Sequence, residues 1–114
     1  MNDEPRNINI DTFIANVTKP SIIFLKKNDG SCQKCLMMVA ILNKVKDNIE
    51  IADKVDIHTM GIEELENFEE SIHTYGISML PYFLLVKDGS VKASYSGVIA
   101  EKLLIDHIKK DLGI

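Results

Sequence analysis

Two continuous apolar runs in the chain have the character of buried strands. Residues 21–25 read Ser-Ile-Ile-Phe-Leu, and residues 82–86 read Tyr-Phe-Leu-Leu-Val. Such runs are typical of strands that are covered on both faces. Residues 54–59 and 91–96 instead alternate between apolar and polar positions, so each predicts a strand with one buried face. An Asp-Gly pair at 88–89 predicts a tight hairpin between the last two strands.

Apolar residues at three- and four-residue spacing predict four helices. We expect a short helix capped by Asp11 that runs to about Val17, and a long helix from about Cys32 to Asp47. A third helix is predicted over 62–75, and a fourth begins near Ala100. The residues expected to face inward from the last three helices are Cys35, Met38, Leu42, Val45 and Ile49, then Leu65, Phe68, Ile72 and Tyr75, and finally Ala100, Leu103, Leu104, His107 and Ile108.

The order of these elements predicts the fold class. The first half reads as a parallel βαβ unit, and the second half reads as a hairpin followed by a helix. We therefore expect a three-layer α/β/α fold with a central mixed sheet of four or five strands. No repeat or linker divides the 114 residues. This predicts one domain over residues 7–114, preceded by a flexible tail of residues 1–6.

Composition and charge narrow the classes of protein further. The chain is 46% apolar and 26% charged, a globular rather than a disordered mixture. Its 13 Lys and Arg against 17 Asp and Glu give a net charge of −4, which counts against nucleic-acid binding. No apolar run approaches the roughly 20 residues of a membrane helix. The first five residues are polar and acidic, unlike a secretory signal, so we expect a cytoplasmic protein.

The two cysteines carry the candidate chemistry. Cys32 and Cys35 stand three positions apart at the start of the predicted long helix. Unpaired N–H groups and the positive end of the helix dipole favour an anion there, so Cys32 is expected to ionise readily. Cys35 lies nearly one turn further on, closer to the buried face, and its sulfur can reach that of Cys32. Cys32 is therefore the expected nucleophile in disulfide exchange, and Cys35 the resolving cysteine.

A metal site is not predicted. A structural zinc ion needs four ligands, and the chain offers a single Cys-x-x-Cys. His58, His73 and His107 fall in three different elements and share no ligand spacing. Each is interpreted as a surface or partly packed histidine.

Three landmarks in the sequence together resemble the thioredoxin superfamily, and the resemblance covers nearly the whole chain. The first is Cys-Gln-Lys-Cys at 32–35, which opens a helix after a strand. The second is Tyr-Gly-Ile-Ser-Met-Leu-Pro at 75–81, which precedes the strand at 82–86. The third is Lys-Asp-Gly at 87–89, followed by Gly97. Their order and spacing make the combination more specific than the cysteine motif alone.

The resemblance implies a thiol–disulfide oxidoreductase that acts on protein disulfides through a reversible dithiol, without a further cofactor. It also implies that the Leu80–Pro81 peptide bond is cis and that the proline orients the substrate. Met79, Leu80, Pro81 and Gly97 are accordingly the candidate substrate-binding residues. The implied partners are protein disulfides and a reductase or thiol donor, with no nucleic acid and no membrane, and the protein is expected to be a monomer.

Two lysines distinguish this chain from thioredoxins. Where thioredoxins read Trp-Cys-Gly-Pro-Cys, this chain reads Ser-Cys-Gln-Lys-Cys. Lys34 thus puts a positive charge inside the motif, where it favours the Cys32 thiolate. Lys26 stands where thioredoxins carry a buried aspartate, and it adds to this effect if its ammonium points inward. Both lysines are candidate redox-tuning residues.

Two other functions stay open on these residues. One is a non-catalytic thioredoxin-fold module that serves in protein interaction or redox sensing. The other is a glutaredoxin-like, glutathione-dependent reductase, although the chain has a single glycine, Gly97, where glutaredoxins have a Gly-Gly pair. Reduction of insulin disulfides, compared with a Cys32→Ser control, separates catalysis from binding.

Overall fold

A mixed sheet is the centre of the computed structural model, which describes residues 8–114. Its four strands lie in the order β2-β1-β3-β4, with β1 and β2 parallel and the other pairs antiparallel. Four strands fall within the predicted four or five. The predicted tail, residues 1–6, lies outside the described residues. The strands are β1 Ser21–Lys26, β2 Asp56–Gly61, β3 Tyr82–Lys87 and β4 Ser90–Ser96.

Helices cover both faces of this sheet, which confirms the predicted three-layer fold. Residues from α2 and α4 pack with Ile22, Phe24, Phe83 and Leu85 on one face. Residues from α1 and α3 pack on the opposite face. Phe24 and Phe83 are fully buried and stack with ring centroids 5.2 Å apart, so the two central strands are joined through their side chains as well. The helices are α1 Ile10–Ala15, α2 Gln33–Lys46, α3 Phe68–Tyr75 and α4 Glu101–Leu112.

Two helix starts differ from the sequence prediction. The side chain of Asn9, not Asp11, caps α1 by accepting a hydrogen bond from the Thr12 N–H. The single helix predicted over 62–75 is wrong, because a 3₁₀ turn at Ile62–Glu64 is separated from α3 by extended backbone at Leu65. The tertiary reason is a bridge to Ile8, which donates to the Glu64 carbonyl at 3.1 Å and accepts from the Glu66 N–H at 2.9 Å.

Some inward-facing positions were also predicted wrongly. Helix α2 ends at Lys46, so Ile49 lies beyond its periodicity and is 94% exposed, while Ile51 enters the core instead. In α4 the buried face is rotated from the predicted one. Ala100 and Leu103 are exposed, and the buried residues are Leu104, Ile105, Ile108 and Leu112. Within residues 8–114, no helix is both long and apolar enough to cross a membrane.

Two tyrosine–aspartate hydrogen bonds join helices to distant parts of the fold. Tyr75 of α3 donates to Asp11 of α1, and Tyr95 of β4 donates to Asp111 of α4. Burial, the hydrogen bond and the carboxylate charge together raise the pKa of each phenol to about 12. The protonated phenol is therefore the form that the fold favours.

We expect these two phenols to make the fold sensitive to alkali. An unfolded tyrosine has a pKa of about 10, so their contribution to stability is complete below pH 10 and is lost as pH rises through about 12. Denaturant unfolding measured from pH 9 to pH 12 tests this. Tyr75→Phe and Tyr95→Phe should be less stable than wild type at pH 9 but lose less stability above pH 10. Equal losses in the variants and the wild type would contradict the assignment.

Candidate functional site

Four strand ends meet at one edge of the sheet. Lys26, the last residue of β1, pairs with Gly61, the last residue of β2. Tyr82, the first residue of β3, pairs with Leu25 of β1 on one side and with Ser96 of β4 on the other. The segment that follows β1, the segment that precedes β3 and the segment that follows β4 therefore lie at the same edge. These three segments carry the cysteines, Pro81 and Gly97.

The two cysteines form a disulfide at the start of α2. Their Cα atoms are 5.2 Å apart. Cys32 is the N-terminal cap of the helix, and its sulfur accepts a hydrogen bond from the Cys35 N–H at 3.1 Å. Cys35 is only 1% exposed, whereas Cys32 is partly exposed. The pair thus has one partly exposed cysteine and one that is covered by the fold, and reversible disulfide exchange is the chemistry available to it.

A short turn delivers the chain from β1 to Cys32. The Asp29 carboxylate accepts hydrogen bonds from the Ser31 N–H at 2.9 Å and from the Ser31 hydroxyl at 2.7 Å. These hydrogen bonds lower the pKa of Asp29. Gly30 has a φ of +81°, a conformation that glycine adopts without steric cost. The turn therefore fixes the direction in which the backbone enters the helix cap.

The two candidate tuning lysines occupy different surroundings. Lys34 is exposed in the first turn of α2, one residue before Cys35. The ammonium of Lys26 donates to the Asn28 side chain at 2.8 Å in a solvent-exposed position. The Lys26 ammonium therefore does not point inward. The condition under which it would stabilise the Cys32 thiolate is not met.

The segment before β3 has the predicted backbone conformation. The Leu80–Pro81 peptide bond is cis, which confirms the prediction. Pro81 is buried, and its carbonyl accepts a hydrogen bond from the Gly97 N–H at 2.8 Å. Gly97 has a φ of +84°, and a Cβ added to it would lie 3.8 Å from the Met79 sulfur. Three of the candidate substrate-binding residues are thus neighbours, and the Met79 side chain is 49% exposed beside them. Leu80 is partly buried.

A polar cluster at the same edge was not anticipated from the sequence. Asn28, just before the turn, is hydrogen-bonded to Glu63 and Glu64, which follow β2. Both glutamates fall within the single helix predicted over 62–75, and that prediction does not place them at the site. The sequence feature that could have indicated this cluster is the position of Glu63 and Glu64, which come directly after a strand that ends at the site edge.

The histidines do not assemble a metal site. His58 packs edge-on against Phe13 with ring centroids 5.0 Å apart, and His107 stacks on Tyr95 at 4.3 Å. His73 is exposed in α3. In the part of the chain that the structure describes, no three His, Cys, Asp or Glu side chains are grouped so as to hold a metal ion.

Comparison with known proteins gives consistent matches. The thioredoxin family model matches residues 5–110. Thioredoxin Y2 of Arabidopsis thaliana chloroplasts is 27% identical over 104 residues, which cover 91% of this chain and 58% of that protein. Thioredoxin of Rickettsia typhi is 30% identical over 81 residues, which cover 71% of this chain and 72% of that protein. This chain therefore spans less than two thirds of the length of the Arabidopsis protein.

Solved structures agree on the fold. Desulfothioredoxin from Desulfovibrio vulgaris Hildenborough, in its reduced form, superposes with a TM-score of 0.67 at 23% identity, covering 82% of each chain. Thioredoxin of Malassezia sympodialis superposes with a TM-score of 0.70 at 21% identity, covering 90% of this chain and 85% of that one. The family model over residues 5–110 and the 30% identity to the Rickettsia protein show that this chain, with its Cys-x-x-Cys pair at a helix start, belongs to the thioredoxin family.

Proposed function

We propose that this protein reduces or exchanges disulfides of other proteins, with Cys32 as the nucleophile and Cys35 as the resolving cysteine. The observation that carries the proposal is the difference in burial between the two cysteines at a helix N-terminus. Cys32 caps the helix and is partly exposed, whereas Cys35 is 1% exposed. An incoming disulfide can therefore meet Cys32 but not Cys35, while Cys35 stays within reach of Cys32.

The reaction proceeds in two exchange steps. The Cys32 thiolate attacks one sulfur of the substrate disulfide, so that a new S–S bond forms and the second substrate sulfur leaves as a thiolate that takes up a proton. Cys35, once deprotonated, then attacks the Cys32 sulfur, which closes the Cys32–Cys35 disulfide and releases the first substrate sulfur as a thiol. The substrate gains two electrons, and the protein is left oxidised. A reductase or a thiol donor must return those two electrons.

The substrate site is proposed at Met79, Leu80, Pro81 and Gly97. Met79 offers exposed, adaptable apolar surface at the site edge. The buried Pro81 and its hydrogen bond to Gly97 hold this surface in place. An extended peptide could lie along this segment with its disulfide over Cys32. Val98, which is 40% exposed, enlarges the apolar surface next to Gly97.

The proposal extends to the cofactor, the cellular location and the partners of the protein. The dithiol supplies the two-electron chemistry itself, so we propose that the protein works without a bound cofactor. A cytoplasmic location fits a dithiol that must be returned to its reduced form, because cytosolic thiols are kept reduced. We further propose that the protein acts as a monomer on protein disulfides, with no nucleic-acid or membrane partner.

Insulin reduction tests this function and identifies the electron donor. Wild-type protein should accelerate precipitation of the insulin B chain with dithiothreitol as donor, and a Cys32→Ser variant should not. The assay is then repeated with thioredoxin reductase and NADPH and, separately, with glutathione and glutathione reductase. Turnover with the first system supports a thioredoxin-type cycle, and turnover with glutathione alone supports the glutaredoxin-like alternative. A wild-type rate equal to that of Cys32→Ser would mean that the protein is a non-catalytic module.

A further inference from the structure

The segment that carries Cys32 is tied to the end of β2 by two glutamates. The Asn28 N–H donates to both carboxylate oxygens of Glu63, at 3.1 and 3.2 Å. The Asn28 side-chain amide donates to Glu64 Oε2 at 2.8 Å, and the same oxygen accepts from the Gly61 N–H at 3.0 Å. We call Asn28, Gly61, Glu63 and Glu64 the Asn28 cluster. It joins the connection after β1 to the strand next to it.

Gly61 leaves the space that the Asn28 side chain occupies. A Cβ at Gly61 would overlap the Asn28 carboxamide. Its φ is −78°, which any residue adopts, so the requirement for glycine here is one of space and not of backbone conformation. The close approach lets the carboxamide reach the Glu64 carboxylate. Hydrogen bonds from Asn28 and Gly61 lower the pKa of Glu64, so this carboxylate is ionised at neutral pH.

The Asn28 carboxamide also binds the side chain of Lys26. Asn28 Oδ1 accepts a hydrogen bond from the Lys26 ammonium at 2.8 Å, while its nitrogen donates to Glu64. Asn28 therefore lies between a positive and a negative side chain and uses both ends of its amide. Three residues separate this anchored position from Cys32, and the Asp29–Ser31 turn fixes the backbone between them.

We propose that Asn28 and Glu64 are positioning residues for Cys32, which keep its backbone at the distance from Cys35 that favours closure of the disulfide. The proposal rests on the proposed function, in which Cys32 and Cys35 exchange with other disulfides. Neither residue needs to touch a substrate. They act by restricting the segment that leads to the nucleophile, and such a restriction raises the effective concentration of one thiol at the other.

The equilibrium with glutathione reports this effective concentration directly. Protein dithiol and one glutathione disulfide give the protein disulfide and two glutathione thiols, so that one S–S bond breaks as another forms and both protons pass to glutathione. A residue that stabilises the oxidised and reduced forms equally does not change this equilibrium constant. A residue that holds the two sulfurs close together raises this equilibrium constant.

The test uses five variants of the full chain. Glu64→Ala and Asn28→Ala should each lower the constant for disulfide formation about fivefold, the effect of losing one well-placed ionic hydrogen bond near the surface. Their double variant should lower the constant by less than the product of the two single effects, because each single variant already removes the contact between Asn28 and Glu64. Glu64→Gln keeps an acceptor oxygen and should stay within twofold of wild type. Glu69→Ala removes a similar charge from the first turn of α3, outside the cluster, and should have no effect.

Three results would overturn the proposal. One is an equilibrium constant for disulfide formation that stays within twofold of wild type in both Glu64→Ala and Asn28→Ala. Such a result would mean that any loss of stability in these variants affects the oxidised and reduced forms equally. Another is a Glu64→Gln value equal to that of Glu64→Ala, which would assign the effect to charge alone. The third is additivity in the double variant. All of these constants can be measured even if the protein fails to reduce insulin, so failure of the proposed function is recognised separately.

Discussion

A Cys35→Ser variant is expected to accumulate a stable mixed disulfide with its substrate through Cys32. The first exchange step needs only Cys32, the partly exposed cysteine at the start of α2, which this variant retains. The second step needs the sulfur of Cys35, and the serine hydroxyl cannot replace it as a nucleophile at neutral pH. Incubation with a disulfide-containing protein, followed by non-reducing electrophoresis and mass spectrometry of the adduct, measures the trapped species.

The matched variant is Cys32→Ser, which should trap nothing and should lower insulin reduction about a thousandfold or more, because loss of a nucleophile removes the whole covalent pathway. Cys35 is fully buried, so a hydroxyl there costs stability, and Cys35→Ala serves as a second trapping variant without a buried polar group. Alkylation of the reduced wild type gives an independent check. Equal rates for the two thiols near neutral pH, or adducts through Cys35, would contradict the assigned roles.

The sheet and the site edge could be predicted from the sequence because their signals are local. The apolar runs of β1 and β3 fix the two central strands. The alternating pattern of β4 predicts one inner face for Val91, Ala93 and Tyr95, and exposure does alternate along the strand. A register shift opposite Leu85 and Val86, however, turns Val91 to one face of the sheet and leaves Ala93 and Tyr95 on the other. Cys-x-x-Cys at a helix start places its first cysteine at the cap by its position alone. Here Cys32 is that cap.

The parts that were wrong depend on contacts between distant residues. The helical spacing of Leu65 and Phe68 is real, but the backbone at 64–66 pairs with Ile8 and cannot remain helical. The Asn28 cluster depends in the same way on a strand pairing that brings residue 28 next to residues 61–64, and no periodicity encodes it. Asn9 rather than Asp11 caps α1, while Asp11 instead accepts hydrogen bonds from Asn67 and Tyr75.

The reduction potential of this protein is expected to lie above the value of about −270 mV that is typical of thioredoxin. Lys34 stands in the first turn of α2, where its charge favours a thiolate at Cys32 over the neutral thiol. Stabilising the thiolate stabilises the reduced form, which makes the disulfide a stronger oxidant. The pKa of Cys32 in the reduced protein should accordingly lie below the ordinary thiol value of about 8.5.

Lys26, which stands where thioredoxins have an aspartate, could raise the reduction potential in two ways: by adding a positive charge or by removing a negative one. Its ammonium is bound to Asn28, so the lysine charge itself adds little at the dithiol. The replacement still removes the carboxylate that thioredoxins carry at this position, whose negative charge would oppose a neighbouring thiolate. Lys34 is solvent-exposed, and a charge of that kind contributes about 0.2–1 kcal/mol, equivalent to about 4–20 mV in a two-electron couple. The full shift from thioredoxin should therefore be tens of millivolts, of which Lys34 supplies a minor part.

Equilibration with glutathione buffers, followed by alkylation and mass spectrometry, measures this potential. Lys34→Gln should lower it by about 4–20 mV and raise the pKa of Cys32, because the variant removes the charge and keeps a side chain of similar length. Lys44→Gln is the control, since Lys44 is an exposed lysine in the last turn of the same helix, far along the axis from Cys32. The shift in Lys34→Gln should shrink at high salt, because ions screen an exposed charge, whereas a shift caused by altered packing would persist. A wild-type potential at or below that of thioredoxin would mean that neither the motif lysine nor the missing carboxylate sets the redox balance of this protein.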